Sequence, residues 1–223
     1  MDIFASTAVT VQGVNITAPE ESPNTDGIHV HQSDNVTVTD SSMHTGDDCI
    51  SIGAGTTNVL IQRVSCGPGH GISIGSLGGG TTDVAGVKNI MVRNITFVGS
   101  QNGIRIKTWA KPNSGFVTDV VFQHITMNAV DNPILVDQNY CPGNRNCPNM
   151  TSGIAISNVS YTDITGTSTT PVAVKFDCSP TRPCNGISLE DVLLLYENRP
   201  ALSFCRNVNG TAAGYVVPES CLN

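Results

Sequence analysis

Along most of this chain, apolar and polar residues alternate one by one in short bursts of two kinds. The first kind reads AVTV from Ala8, NVTV from Asn35, NVLI from Asn58, NIMV from Asn89, DVVF from Asp119, GIAI from Gly153 and GISL from Gly186. The second reads GIHV from Gly27, CISI from Cys49, GISI from Gly71, GIRI from Gly103, PILV from Pro133 and PVAV from Pro171. The two kinds follow each other in strict order. A period of two sends successive side chains to opposite faces of a strand, and one face of each burst is almost entirely Val, Ile and Leu, so each is predicted to be a half-buried strand. Recurrence every 22 to 38 residues, with Gly, Asn, Asp, Ser and Pro between, leaves room for turns and a third short strand but not for crossover helices. The expected fold is all-β, a parallel solenoid forming one domain over residues 1–223. A β-sandwich is the alternative, but it calls for antiparallel hairpins rather than two strand types recurring in fixed order.

Stacked coils lie about 4.8 Å apart, so residues at equal offsets in successive repeats become neighbours. With Gly27, Cys49, Gly71 and Gly103 in register, Asp26, Asp48, His70 and Asn102 fall into one column, and Asp47 lies beside it. On the outer face, one column reads His29, Ser51, Ser73, Arg105, and the next reads His31, Gly53, Gly75, Lys107.

Composition narrows the picture. The 223 residues suffice for one domain, and with 13% charged residues and 5% aromatics they match a turn-rich β protein. A net charge of −7 argues against nucleic acid as a partner, and the sequence has no transmembrane run. The charge is uneven: residues 1–59 hold eight acids and no Lys or Arg, whereas residues 60–115 hold Arg63, Lys88, Arg93, Arg105, Lys107 and Lys111 against Asp83. A hydrolase of an anionic polymer has use for such a layout. The cysteines at 49, 66, 141, 147, 178, 184, 205 and 221 make no C-x-x-C pair and are expected to form disulfides. Cysteines close in sequence sit on the same or adjacent coils, which pairs Cys49 with Cys66, Cys141 with Cys147, Cys178 with Cys184, and Cys205 with Cys221. Together with sequons at Asn15, Asn35, Asn94, Asn149, Asn158 and Asn209, they point to the secretory pathway.

Asp26, Asp47 and Asp48, so close together, cannot all ionise at their ordinary values, and one is expected to hold a proton at about pH 5. That suits glycoside hydrolysis, in which one carboxylic acid protonates the leaving oxygen while a carboxylate activates water or attacks. Arg105 and Lys107 suit the carboxylate of a uronic acid, and His70 beside Asp48 is placed to tune the acids. Clustered carboxylates also bind calcium, but His, Arg and Lys in the same columns are poor company for a hard cation.

The segments NTDGIHV (24–30), GDDCISIG (46–53), GPGHGISIGS (67–76) and RIK (105–107) resemble the four signature segments of the polygalacturonases, glycoside hydrolase family 28, in the same order. The likeness continues through Tyr140 in DQNYC, runs over essentially the whole chain, and is greatest to plant members, among them pollen exopolygalacturonases that are also allergens. The resemblance implies a right-handed single-stranded parallel β-helix that hydrolyses α-1,4 links of polygalacturonate with inversion, without metal or cofactor. It makes Asp47 the general acid and Asp26 with Asp48 the base, with His70 supporting their ionisation and Arg105, Lys107, Tyr140 and Asn24 binding galacturonate. It further implies a secreted monomer acting on the cell wall, without nucleic-acid or membrane partners. A related hydrolase of rhamnogalacturonan or substituted galacturonan, or an inactive truncated product, are the alternatives. Stacking puts Asp26 and Asp48 about 5 Å apart, a separation that in two-carboxylate enzymes goes with retention; the resemblance favours inversion. Family members carry a secretion signal and several coils before the NTD segment, whereas only AVTV precedes it here. The chain is therefore expected to lack those coils, and its first coil to be uncapped and weakly stable.

Overall fold

The computed structural model describes residues 1–80 and 85–222, and Asp83 lies outside them. The chain winds as a parallel β-helix, with a 3₁₀ turn at Pro142–Asn144 as the one helical element among the described residues. The second kind of burst forms an eight-stranded parallel sheet, in the order Asp2–Phe4, Ile28–His31, Ile50–Ile52, Ile72–Leu77, Asn102–Trp109, Asn132–Tyr140, Val172–Asp177 and Leu202–Arg206. The first kind forms longer strands, Thr7–Gln12, Asp34–His44, Thr57–Cys66, Val87–Val98, Ser114–Val130, Gly153–Ser168 and Cys184–Tyr196, which pair in parallel in that order. Three strands, not one, precede the NTD segment: Asp2–Phe4 and Asn15–Thr17 flank Thr7–Gln12. The two flanking strands are three residues each and carry no apolar alternation of their own, so their place comes from pairing with the next coil.

The inward columns are continuous. Ile28, Ile50, Ile72, Ile104, Ile134 and Val174 stand in register, as do Val30, Ile52, Ile74, Ile106, Val136 and Phe176, and none is more than 1% exposed. Burying each such side chain contributes about 1.5–3 kcal/mol. The PVAV burst enters two residues later than expected, because Val174 rather than Val172 faces Ile134. A slip of two keeps the same side chains inward.

The expected third strand is the second half of each long strand. Asp40, Arg63, Asn94, His124, Asp163 and Asp191 occupy one column, all at φ between 51° and 54°, and there the chain turns from one face of the helix to the next. Asn and Asp tolerate this left-handed conformation better than most residues. Arg63 is held in it by Asp40, whose carboxylate accepts from Nε at 2.6 Å and Nη2 at 2.9 Å.

All four disulfides pair as expected, Cys49–Cys66, Cys141–Cys147, Cys178–Cys184 and Cys205–Cys221. The first ties the residue after Asp48 to the end of the neighbouring long strand. No helix among the described residues is long and apolar enough to cross a membrane.

Candidate active site

The register pairs Ile28 with Ile50 and Ile50 with Ile72, so the turns before these strands stack and bring Asp26, Asp48 and His70 into one column at the edge of the eight-stranded sheet. Gly69 makes the turn possible. Its φ is +113°, and a Cβ there would lie 2.5 Å from the carbonyl oxygens of both Asp47 and Thr45. The close approach delivers His70 to Asp47, not to Asp48 as the column alone suggested: His70 Nδ1 is 2.9 Å from Asp47 Oδ1. The same oxygen accepts the Asp48 backbone N–H at 2.7 Å.

Asp48 is buried and held by three donors. Its Oδ1 accepts from Ser73 Oγ at 2.7 Å and Arg105 Nη2 at 2.9 Å, and its Oδ2 accepts from Lys107 Nζ at 2.8 Å. Arg105 Nε donates to Ser73 Oγ at 3.0 Å, closing the network. Arg105 and Lys107 are themselves only 8% and 6% exposed. They are therefore not the free surface cations that strand alternation suggested; their first partner is Asp48, and a bound anion would meet only their remaining N–H groups. A charge pair taken this far from water persists because three donors hold the carboxylate, and one lone pair of Oδ2 stays open.

Asp26 is half-buried and accepts one hydrogen bond, from Ser51 Oγ at 2.5 Å. Ser51 Oγ also contacts His29 Nδ1 at 2.6 Å. Since the hydroxyl has a single hydrogen and gives it to Asp26, His29 Nδ1 must be the donor in that second bond. A relay thus runs from His29 through Ser51 to Asp26. Beyond it, the His29 and His31 rings lie 4.7 Å apart and Phe4 stacks on His31 at 4.5 Å.

The surroundings separate the acids. Burial, outweighing the Ser51 hydrogen bond and assisted by the negative charges of Asp48 and Asp47, raises the pKa of Asp26, whereas the His70 hydrogen bond lowers that of Asp47. Burial and neighbouring His31 lower His29. The remaining expected residues surround this centre. The Tyr140 ring lies 5.3 Å from Lys107 Nζ and edge-on to Trp109 at 5.5 Å, and its hydroxyl is raised by burial. Asn24, exposed, lines an open depression with Asp26 and His29. Ser51, Ser73 and His29 stood in the predicted outer columns without a role; as a serine next to an acidic column, each serine had the chemistry to be picked out as a linker.

Donor atoms of Asp47, Asp48 and His70 come within 4.8 Å of one another, as do those of Asp2, His29 and His31. In the first group both oxygens of Asp48 already hold cationic side chains, so it does not fit a metal ion.

Three carboxyl groups, two of them with proton affinities shifted in opposite directions, set on the outer face of a parallel β-helix beside buried cations, define the class: a β-solenoid with an acid–base site. Within that class the chain belongs to the glycosyl hydrolases family 28, whose family model matches residues 1–221. It is 56% identical over 214 residues to a polygalacturonase of Prunus persica, covering 96% of this chain and 54% of the relative. It is 45% identical over 223 residues to an exopolygalacturonase of Oenothera organensis, covering 99% and 61%. The chain thus spans a little over half the length of these relatives. Among solved structures, a polygalacturonase of Erwinia carotovora superposes with a TM-score of 0.75 at 27% identity, covering 94% of this chain and 53% of that one. An endo-xylogalacturonan hydrolase of Aspergillus tubingensis superposes at 0.74 with 26% identity, covering 93% and 59%.

Proposed function

We propose that the protein hydrolyses α-1,4-galacturonosidic bonds of pectin with inversion, outside the cell and in the plant wall. The observation that carries this reading is the unequal environment of Asp26, Asp47 and Asp48 next to Arg105 and Lys107: groups that hold and release protons sit beside cations suited to a uronic acid. Asp47, touching His70, gives its proton to the leaving oxygen. The proton shared across the 2.9 Å His70–Asp47 contact is its nearest supply. Asp26 and Asp48 hold the attacking water on the opposite side of the sugar. The Asp48 carboxylate is held in place for this by Arg105 and Lys107, and Asp26 becomes competent once it loses its proton. Unspent donors of Arg105 and Lys107, with Tyr140 and Asn24, hold galacturonate. The four disulfides and six sequons, all with exposed asparagines, support secretion and glycosylation.

Release of reducing ends from polygalacturonate tests the activity. In the whole enzyme, Asp47→Asn is expected to lower kcat by about 10²–10⁴-fold, the usual worth of acid catalysis, with KM little changed. A variant retaining more than about a tenth of wild-type kcat would remove Asp47 from the acid role and leave it to Asp26, the group whose surroundings favour a bound proton. The likeness to a xylogalacturonan hydrolase supports a second reading, action on a substituted galacturonan. Faster cleavage of xylosylated than of plain polymer would favour it.

A further inference from the structure

Beside the carboxylate site, the outer face of the eight-stranded sheet carries a second group of side chains able to hold a metal. His29 and His31 are two residues apart on one strand, so both point outward, and Asp2 and Phe4 stand opposite them in the neighbouring strand. Donor atoms of Asp2, His29 and His31 come within 4.8 Å of one another, and His31 Nε2 lies 3.2 Å from Asp2 Oδ1. The reaction assigned to the carboxylates uses neither Asp2 nor His31.

The surroundings orient these groups for one ion. His29 spends its Nδ1–H on Ser51 Oγ, which leaves the Nε2 lone pair free in the neutral ring. Ligating histidines are held in this way, the second nitrogen donating to a neighbour that fixes tautomer and ring orientation. Phe4 stacks on the His31 ring with centroids 4.5 Å apart and planes at 22°, which holds that ring from the other side. In the next coil, a Cβ on Gly53 would lie 2.9 Å from His31 Cβ and 3.6 Å from His29 Nε2, so the bare glycine leaves the two imidazoles their space. A tetrahedral ion bound at about 2.0–2.1 Å sets its ligand atoms about 3.4 Å apart, close to the His31–Asp2 separation, and rotation of the side chains closes the remaining gap. Asp2 and His29 line an open depression, so water can complete the shell. As a plain ion pair, His31 and Asp2 would contribute little, because Asp2 is 64% exposed. Two imidazoles and one carboxylate select zinc and its neighbours over calcium or magnesium.

We propose that Asp2, His29 and His31 bind a zinc-type divalent ion, which fastens the strand Asp2–Phe4 to Ile28–His31. The ion lies two hydrogen bonds from Asp26, through Ser51, and the site does not depend on the hydrolase reading.

Calorimetric titration of the whole protein with zinc chloride, after chelator treatment and at about pH 7, where an ordinary imidazole is mostly neutral, tests the site. Saturable binding with a raised thermal midpoint is expected. His31→Gln and Asp2→Asn, both outside the carboxylate site, should each weaken that binding by at least about tenfold and remove most of the rise in midpoint. Ser51→Ala, which takes away only the partner that orients His29, should weaken it about 10–100-fold. His124→Gln, at an exposed imidazole of the long-strand sheet, should leave it unchanged. Absence of saturable binding overturns the proposal. So does affinity that is the same in His31→Gln and Asp2→Asn as in wild type, or that is lost in His70→Gln instead, which would put the ion at the carboxylates.

Discussion

Asp26 is a carboxyl group whose surroundings work against its charge, through burial and two neighbouring aspartates. The folded protein binds that proton more tightly than the unfolded chain does. Stability therefore falls as pH rises from the ordinary carboxyl value of 3.8 through the higher folded value, and stays lower above it. Asp26→Asn is expected to raise the thermal midpoint at pH 7 and to lose that advantage below about pH 4, where wild-type Asp26 is protonated in both states. Paired melts at the two pH values check this, and an unchanged or lowered midpoint at pH 7 would contradict it. The same substitution should abolish most activity, the usual exchange between stability and function at a strained polar site. Arg105 and Lys107 stand in the opposite situation, since removing either leaves Asp48 buried with less compensation. Part of any activity lost in Arg105→Ala will therefore be lost folding, as breaking a buried pair costs about 3–5 kcal/mol.

At the scale of the element, the corners of the solenoid rest on a few polar residues. Asn35, Asn58, Asn89, Asp119 and Asn158 share a column at φ between 52° and 57°, and Asn89 Nδ2 donates to Asn58 Oδ1 at 2.5 Å. Replacing Asn89 by alanine removes the bond and leaves a Cβ residue less suited to that conformation, a loss of about 1–2 kcal/mol. Asn89→Gly should lose less, because the backbone is then unstrained, and denaturant unfolding of the two variants would show the order. The strands themselves were legible because their inward face is nearly pure Val, Ile and Leu. The column of Asp26, Asp48 and His70 was legible because register follows from that face. What escaped depends on geometry between coils. His70 reaches Asp47 because Gly69 turns left-handed, and periodicity carries no trace of that. Lys175 joined the Arg105 column only through the two-residue slip at Val172–Asp177. Leu202–Arg206 went unrecognised because Ser203 and Cys205, not branched aliphatics, occupy its more buried positions.

Across the whole molecule, contacts run between neighbouring coils, so local stability tracks local burial. The middle coils bury Ile104, Ile106, Ile134 and Val136 completely, whereas Ser203 and Cys205, which take the same inward columns in the last strand of the sheet, stay only partly buried. Native-state hydrogen exchange should accordingly find amides of Leu202–Arg206 and Val208–Val217 exchanging at least about tenfold faster than those of Asn102–Trp109, a difference of about 1.4 kcal/mol in opening. Uniform protection along the stack would mean that the coils open together. The same neighbour-to-neighbour construction has a consequence for the outer face of the eight-stranded sheet. It is laid one strand at a time, so the molecule is a gauge graduated in steps of about 4.8 Å along its axis. The carboxylate site occupies the adjacent graduations of Asp26, Asp48 and His70. Under the proposed function, the length of polymer held depends on how many further graduations stand beyond Arg105.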